Sequence, residues 1–570
     1  HVTHGFVELS ALPRFDEARR GDPEATRRHR RAMTLAEHAF LQVEVDGSLP
    51  RLEPDPSDAA APHWSGDGIE VRCVAPADGL GARQSWSIAG LGRRRSVTLR
   101  LRGALDRPAL AEITELDPPM PTGAQTAIRA QGGTVLVEAS GLSAIVAVTL
   151  DGAAATWERV GDELHASLDW PDTDELAFQI TVALQTDARS AGSNPASPSP
   201  AITDGHDPLT SRALAYIRGC TALVVGTGER AILTDHRILP LSWTRDAYWQ
   251  ALALLAADGP GDRDRVADHL RWLWRRCERP DGRWVRSHHA NGRRKDLAFQ
   301  ADQQLYAIVE LADYWRVVGS LPAGVGWDTA VATAWRAAVD EVDPTTGLIA
   351  CAENAADDPA VAPFITASQI LLWYAGQRLL EMLDAAALSV GDLDVRGPAA
   401  AAREGFTARM VDGGAPWPYA VDGSGGRVAY HDANDLPVAL APLWGFCAAD
   451  DPGWLATMRF AFGPDNPGWD AGLRPGLGSA HTPGPWTLGD IQAWIHGRTL
   501  ADGQAMAMAF ERLEAVAFFD SMLPEAYSAD PDEDLRQRHW FAWPGATIAA
   551  LRLLDEEGRL ERQLSAFPTR

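Results

Sequence analysis

The feature that most limits this chain is a change of period. At Thr186-Asp187-Ala188-Arg189-Ser190-Ala191-Gly192-Ser193-Asn194-Pro195-Ala196-Ser197-Pro198-Ser199-Pro200 the spacing of apolar residues switches from every second position to about every 3.6 positions. A period of two buries one face of a strand, and a period of 3.6 buries one stripe of a helix. The chain therefore reads as a β part followed by an α part. The Ser/Pro/Gly stretch has too few apolar groups to order as a core element and reads as the linker between them.

Alternating runs at 40–45, 69–74, 96–101, 134–138, 144–150, 163–168 and 176–182, broken by turns such as Asp46-Gly47 and Asp151-Gly152, predict an antiparallel β-sandwich. The residues before Phe40, rich in Arg and Glu, are ambiguous. After the linker, helical patterns recur at 207–223, 243–257, 263–277, 297–318, 327–341, 364–384, 399–410, 435–448, 454–462, 487–497, 501–522 and 544–557. An uninterrupted block of this kind predicts an (α/α)6 toroid, a barrel of helix pairs with its site on one rim of loops. The expected organisation is a sandwich domain at 1–185, a linker at 186–207 and a barrel domain at 208–570.

Bulk properties exclude some partners. Lys+Arg 52 against Asp+Glu 77 gives a net charge of -25, which would repel nucleic acid and anionic lipid. The 5 cysteines are odd in number and lack CxxC spacing, so a disulfide framework and a zinc site are not indicated; a reducing, cytoplasmic setting is expected. No run is long enough to span a bilayer, and no charged-then-apolar leader is visible. The 21 tryptophans outnumber the 8 tyrosines, as in carbohydrate sites, although large helical cores use tryptophan too. The oligomeric state is left open.

Charge among aromatics marks the first candidate site. Trp243-Thr244-Arg245-Asp246 sets a guanidinium and a carboxylate at the start of an apolar helix, where burial is costly unless they pair or meet a polar ligand. A sugar suits such a pocket, and a helix-start salt bridge beside core aromatics is the alternative. The loop Gly347-Leu348-Ile349-Ala350-Cys351-Ala352-Glu353-Asn354-Ala355-Ala356-Asp357-Asp358 gathers acids before a helix; crowding there can raise one pKa for acid catalysis, and capping is the alternative. Glu525, in an apolar stretch broken by Pro524, reads either as a general base or as a solvated helix-end residue. Tyr430-His431-Asp432-Ala433-Asn434, Gly478-Ser479-Ala480-His481-Thr482 and His539-Trp540-Phe541-Ala542-Trp543 lie before further helices. The pair His288-His289 reads as a solvated loop pair, because adjacent side chains chelate poorly.

Together these stretches resemble glycoside hydrolase family 125, the metal-independent exo-α-mannosidases among the (α/α)6-barrel inverting glycosidases. The resemblance runs through Trp243-Thr244-Arg245-Asp246, the gapless loop from Gly347 to Asp358, Asp432-Ala433-Asn434, Gly478-Ser479-Ala480-His481-Thr482, and Glu525 followed by Trp540-Phe541-Ala542-Trp543. It covers roughly 210–554 and leaves the β part unaccounted for. It implies a general acid at Asp357 or Asp358, with Asp358 preferred, and a general base at Glu525. It also implies a sugar subsite lined by Trp243, Arg245, Asp246, Asp432, His481 and Trp543, to which Glu353 and Trp540 are added from the same loops. Where the family has Arg-Pro-Ser before Asp-Asp, this chain has Asn354-Ala355-Ala356, with Glu353 an extra acid nearby.

The expected function is an exo-acting, anomer-inverting α-glycosidase taking a terminal mannose-like, glucose, rhamnose or arabinose unit, with no metal or cofactor. Its two carboxyls should stand about 6.5–9.5 Å apart to admit a water. The rivals are a disaccharide phosphorylase, a noncatalytic glycan-binding protein and a polysaccharide lyase.

Overall fold

The computed structural model describes residues 2–3, 6–7, 41–50, 52–55, 63–74, 81–101, 126–131, 133–139, 144–186, 206–224, 227–235, 241–295, 297–516, 522–527 and 541–567. Most of the expected linker, the Arg/Glu-rich segment before Phe40, and Trp540 lie outside these residues. The chain divides into two compact units, one built mainly from His1–Glu229 and the other mainly from Leu241–Phe518 and Met522–Arg570.

The first unit holds two antiparallel sheets. Among the described residues one sheet has the order β1 (Val2–Thr3), β2 (Phe6–Val7), β3 (Leu41–Val45), β8 (Val97–Leu101), β13 (Glu163–Leu168), β12 (Ala155–Val160). The other has the order β4 (Glu53–Asp55), β5 (His63–Gly66), β6 (Ile69–Val74), β7 (Gly81–Ala89), β14 (Glu175–Thr186), β11 (Ala144–Asp151), β10 (Thr134–Ala139), β9 (Thr126–Gln131). Alternation sets the buried face: Val97, Leu99 and Leu101 point inward from β8, and join Val71, Trp86, Val148 and Phe178 of the other sheet in one core. The Asp46-Gly47 turn has positive φ at both residues, 54° and 74°, as a two-residue hairpin demands.

Some strands escape the sequence pattern. In β7 a polar Gln84 occupies the core face, where it accepts a hydrogen bond from Trp86 Nε1 at 3.2 Å, so the apolar alternation is broken. In β12 four of six residues are exposed, and only Ala155 and Trp157 turn toward the core, too short an apolar face to stand out in the sequence. Helix α1 (Pro208–Cys220), capped by Asp207 accepting from the Thr210 amide, groups with this first unit; the pattern expected through residue 223 becomes extended at Thr221–Leu223.

The second unit is helical. Its helices are α2 (Thr244–Ala257), α3 (Asp262–Arg275), α4 (Ala301–Val318), α5 (Trp327–Val339), α6 (Thr366–Asp384), α7 (Arg396–Arg409), α8 (Leu436–Trp444), α9 (Pro452–Ala461), α10 (Thr487–Thr499), α11 (Gly503–Val516), α12 (Ala542–Glu556) and α13 (Leu560–Leu564). Two kinds alternate. In α2 every residue from Thr244 to Ala256 is buried, a helix enclosed on all sides, whereas α3 buries residues such as Val266, Leu270, Leu273 and Trp274 and leaves Arg263, Asp264 and Arg275 exposed. The enclosed helices pack in succession, α2 on α4, α4 on α6, α6 on α8, α8 on α10 and α10 on α12, and α12 packs back on α2. The helix expected from 297 begins at Ala301, which leaves Gln300 extended and available to the loops. Helix α13 has no counterpart in the sequence pattern, being too short to show a period. None of the five cysteines is joined in a disulfide, and among the described residues no helix is long and apolar enough to cross a membrane.

A buried ion pair locks this succession. Arg378 on α6 bonds Asp313 on α4, both at most 1% exposed, and the same carboxylate accepts from Tyr248 on α2 at 3.0 Å and Gln563 on α13 at 2.9 Å. Removing one partner strands the other charge out of water. Asp313→Ala is expected to lower stability by about 3–5 kcal/mol in urea unfolding.

Candidate active site

The enclosed helices α2, α4, α6, α8, α10 and α12 begin beside residues singled out above, so their first turns frame one site. The dipeptide Leu241–Ser242 pairs antiparallel with His288–His289 and delivers Trp243 as the residue before α2. Helix α2 lacks a side-chain cap; instead the Arg245 amide donates to Gln303 Oε1 at 3.1 Å, tying α2 to α4.

Arg245, 4% exposed, is the hub. Its Nη1 donates to Asp302 Oδ2 at 2.8 Å and to Gln300 Oε1 at 3.3 Å, and its guanidinium lies 4.6 Å over the Trp543 ring. Its Nε stands 3.2 Å from Asp246 Oδ1 without an aligned hydrogen bond, so charge holds that pair. Burial disfavours the charged guanidinium, but Asp302 and Asp246 outweigh it and raise its pKa. Burial pushes Asp246 up to about 7, against the opposing pull of Arg245 and a hydrogen bond from Thr234.

The acid loop is fixed from beneath. Gln300 Nε2 donates to Asp357 Oδ1 at 2.6 Å, to Asn354 O at 3.1 Å and to Glu353 Oε2 at 3.3 Å. Trp243 Nε1 donates to Asp357 Oδ2 at 3.1 Å, so both oxygens of Asp357 are engaged. Asn354 Oδ1 accepts from the Ala356 and Asp358 amides, folding a turn in which Asp357 takes a φ of 66°. Glu353 faces Arg286 at 3.4 Å. Asp358 points elsewhere: its Oδ1 meets His481 Nδ1 at 3.2 Å, and both side chains are a little over one-third exposed.

Asp432 organises the opposite side. It is 2% exposed and accepts four hydrogen bonds, from Tyr430 Oη at 2.6 Å, Ser479 Oγ at 2.9 Å, and the Asn434 amide and Nδ2 at 2.9 and 2.8 Å. Ser479 Oγ in turn accepts the His481 amide at 3.2 Å, and the Ala480 amide donates to Tyr430 Oη at 3.0 Å. Gly478 must be glycine, because a Cβ there would collide with the Gly484 carbonyl. Asp435, buried next to Asp432, has its pKa raised well above the usual range by burial and by that neighbouring charge.

Glu525 enters from the far end of the chain. Its carbonyl accepts from the Thr487 amide at 3.2 Å, Trp486 pairs with Ala526, and its half-buried carboxylate is the largest of the charges that raise the His481 pKa. Between the helix starts lies a cavity lined by Arg245, Asp302, Tyr306, Glu353, Asn434 and Asp435 among others.

The sequence-derived residues thus converge: Trp243, Arg245, Asp246, Glu353, Asp357, Asp358, Asp432, His481, Glu525 and Trp543 are joined through shared partners, and Trp540 falls outside the described residues. Gln300, Asp302, Arg286 and Asp435 were not anticipated. A signal existed for two of them, since Gln300-Ala301-Asp302-Gln303-Gln304 also opens an apolar helix with polar groups. The pair His288-His289, expected in solvent, is buried, with His288 Nε2 at 2.9 Å from the Glu278 carbonyl.

The sequence profile of glycoside hydrolase family 125, the metal-independent α-mannosidases, matches residues 328–553. The helical unit is GH125-like. The matched span holds Asp357, Asp358, Asp432, His481, Glu525 and Trp543, while Trp243 and Arg245 precede it. No curated protein matches the chain. Among solved structures, a Streptococcus pneumoniae member of a family of metal-independent α-mannosidases, in a non-productive complex with α-1,6-mannobiose, is 19% identical, with a TM-score of 0.52 over 61% of this chain and 93% of that one. A bacterial glucoamylase complexed with acarbose is 10% identical, with a TM-score of 0.65 over 91% of this chain and 89% of that one. A human-microbiome protein assigned as a kojibiose phosphorylase is 8% identical, with a TM-score of 0.54 over 90% and 78%. At these identities the likeness is one of fold.

Gln300 is the joint of the GH125-like site. Gln300→Leu leaves Asp357 and Arg245 short of a buried partner, and is expected to cost about 1–3 kcal/mol in chemical denaturation.

Proposed function

We propose that this chain is an exo-acting, anomer-inverting α-glycosidase of the sandwich-plus-(α/α)6-barrel type, taking a terminal mannose-like unit. The observation that carries the reading is that Asp358 and Glu525, on separate loops, both act on His481. Carboxylates from loops far apart in sequence can flank a glycosidic bond from opposite faces. Asp358 protonates the leaving oxygen while Glu525 takes a proton from water as that water attacks the anomeric carbon. Asp357 is assigned a structural part, because both its oxygens are engaged by Trp243 and Gln300. The cyclic succession of enclosed helices supports the barrel, and two antiparallel sheets sharing one core support the sandwich. The cavity at the helix starts is lined by Arg245, Glu353 and Asn434, groups that suit sugar hydroxyls. In this reading Arg245, Glu353, Asn434 and Trp543 meet the sugar, and Asp432 acts through the loops it holds. The GH125 match supports α-mannose as the first substrate to try.

Disaccharide phosphorolysis is a second reading, favoured by the fold likeness to the kojibiose phosphorylase-like protein. It needs phosphate as nucleophile and gives Glu525 no role. The test is turnover of aryl α-mannosides and α-linked disaccharides with and without phosphate. Hydrolysis independent of phosphate is expected, with Glu525→Ala and Asp358→Asn each lowering kcat on the disaccharide by about 100-fold or more. Normal hydrolysis by Glu525→Ala would remove it as base.

A further inference from the structure

A general acid needs some means of holding a proton until the leaving oxygen takes it, and Asp358 is more than one-third exposed. We propose that His481 is that means: it is a positioning residue that shares one proton with Asp358 and releases it toward the leaving group when Glu525 is neutralised. This deepens the glycosidase reading above and rests on it.

The geometry is specific. His481 Nδ1 and Asp358 Oδ1 stand 3.2 Å apart, within reach of a direct hydrogen bond along which a proton can pass. The loop beneath the imidazole is held: the His481 amide donates to Ser479 Oγ, Ser479 donates to Asp432, and the ring meets Trp486 edge-on at 6.1 Å. The charged groups acting on it are Glu525, Asp358 and Asp357, all carboxylates. Burial disfavours the imidazolium, and Glu525 and Asp358 outweigh it, so its pKa is raised above the ordinary value. Asp357 does not compete for the proton, since Trp243 and Gln300 occupy its oxygens.

The sequence of transfers balances. The Nδ1–H bond of the His481 imidazolium breaks as an O–H bond forms on Asp358; that O–H gives its proton to the glycosidic oxygen as the bond from the anomeric carbon to oxygen breaks. On the other face, water forms the new carbon–oxygen bond and loses a proton to Glu525. Neutralising Glu525 removes the largest charge that held the proton on His481, so attack on one face lowers the cost of protonation on the other. Afterwards Glu525 is protonated, His481 neutral and Asp358 ionised, and proton exchange with solvent restores the starting state.

Two measurements test this. In the first, His481→Gln is assayed against α-glycosides whose leaving groups run from a sugar to dinitrophenolate. The disaccharide rate is expected to fall about 100-fold, the dinitrophenyl rate by less than about 5-fold, because that leaving group departs unprotonated. The alkaline limb of the wild-type profile should shift to lower pH in the variant. Equal losses on all leaving groups with an unmoved profile would reduce His481 to a shaping role and overturn the proposal. The second needs no turnover: NMR titration of His481 should show its pKa falling by about one unit or more in both Asp358→Asn and Glu525→Gln. An unmoved titration overturns the proposal even if the chain hydrolyses glycosides, whereas the expected shifts with no hydrolysis of any glycoside would overturn the glycosidase reading alone.

Discussion

The arrangement of the helical unit depends on a cation taken out of water. A guanidinium as enclosed as Arg245 is tolerable only among carboxylates and an aromatic face, and Asp246, Asp302 and Trp543 supply both from three different helices. Those carboxylates have needs of their own. Thr234 satisfies one of them, and Gln300 couples the guanidinium to the loop of Glu353 and Asp357. One buried charge therefore fixes the starts of α2, α4 and α12 and, through Gln300, the loop that precedes α6. The N-terminal ends of the enclosed helices also carry partial positive charge, which suits a rim so rich in acids.

Carboxylates on this rim fall into two groups. Asp246, Asp302, Asp432 and Asp435 are buried and committed to partners or raised in pKa, and they hold loops in place. Glu353, Asp357, Asp358 and Glu525 are partly open; Gln300 holds Glu353 and Asp357, and the proposed chemistry is assigned to Asp358 and Glu525. The backbone helps to place both: the Asp358 amide donates to Asn354 Oδ1, and the Glu525 carbonyl accepts from the Thr487 amide at the start of α10. A rigid lower layer with two accessible acids above it is the design that proton transfer at fixed geometry requires.

Much of this was legible in the residues. The switch of period separates strands from helices because the two structures bury side chains at different spacings, and the enclosed helices announce themselves by apolar runs opened with polar groups. Arg245, Asp358, His481 and Glu525 were visible as charges or imidazole out of keeping with their apolar or turn-rich surroundings. What the sequence hid was pairing. Nothing local says that Gln300 reaches Asp357, that Asp432 spends all its acceptor capacity on Tyr430, Ser479 and Asn434, or that His481 stands on Asp358, since each bond joins segments whose proximity only the packed helices create. Strands such as β12 were missed for a different reason, since only Ala155 and Trp157 turn inward and both stay partly exposed, too little to leave a pattern.

The central functional claim is that an acid and a base act on opposite faces of one glycosidic bond, with water as nucleophile. Its most direct measurement is proton NMR of the sugar first released from an α-glycoside, recorded before mutarotation. The account predicts the β-anomer as the initial product. Initial release of the α-anomer would contradict it, because retention requires a covalent intermediate on one carboxylate and leaves no place for a base-activated water in the first step.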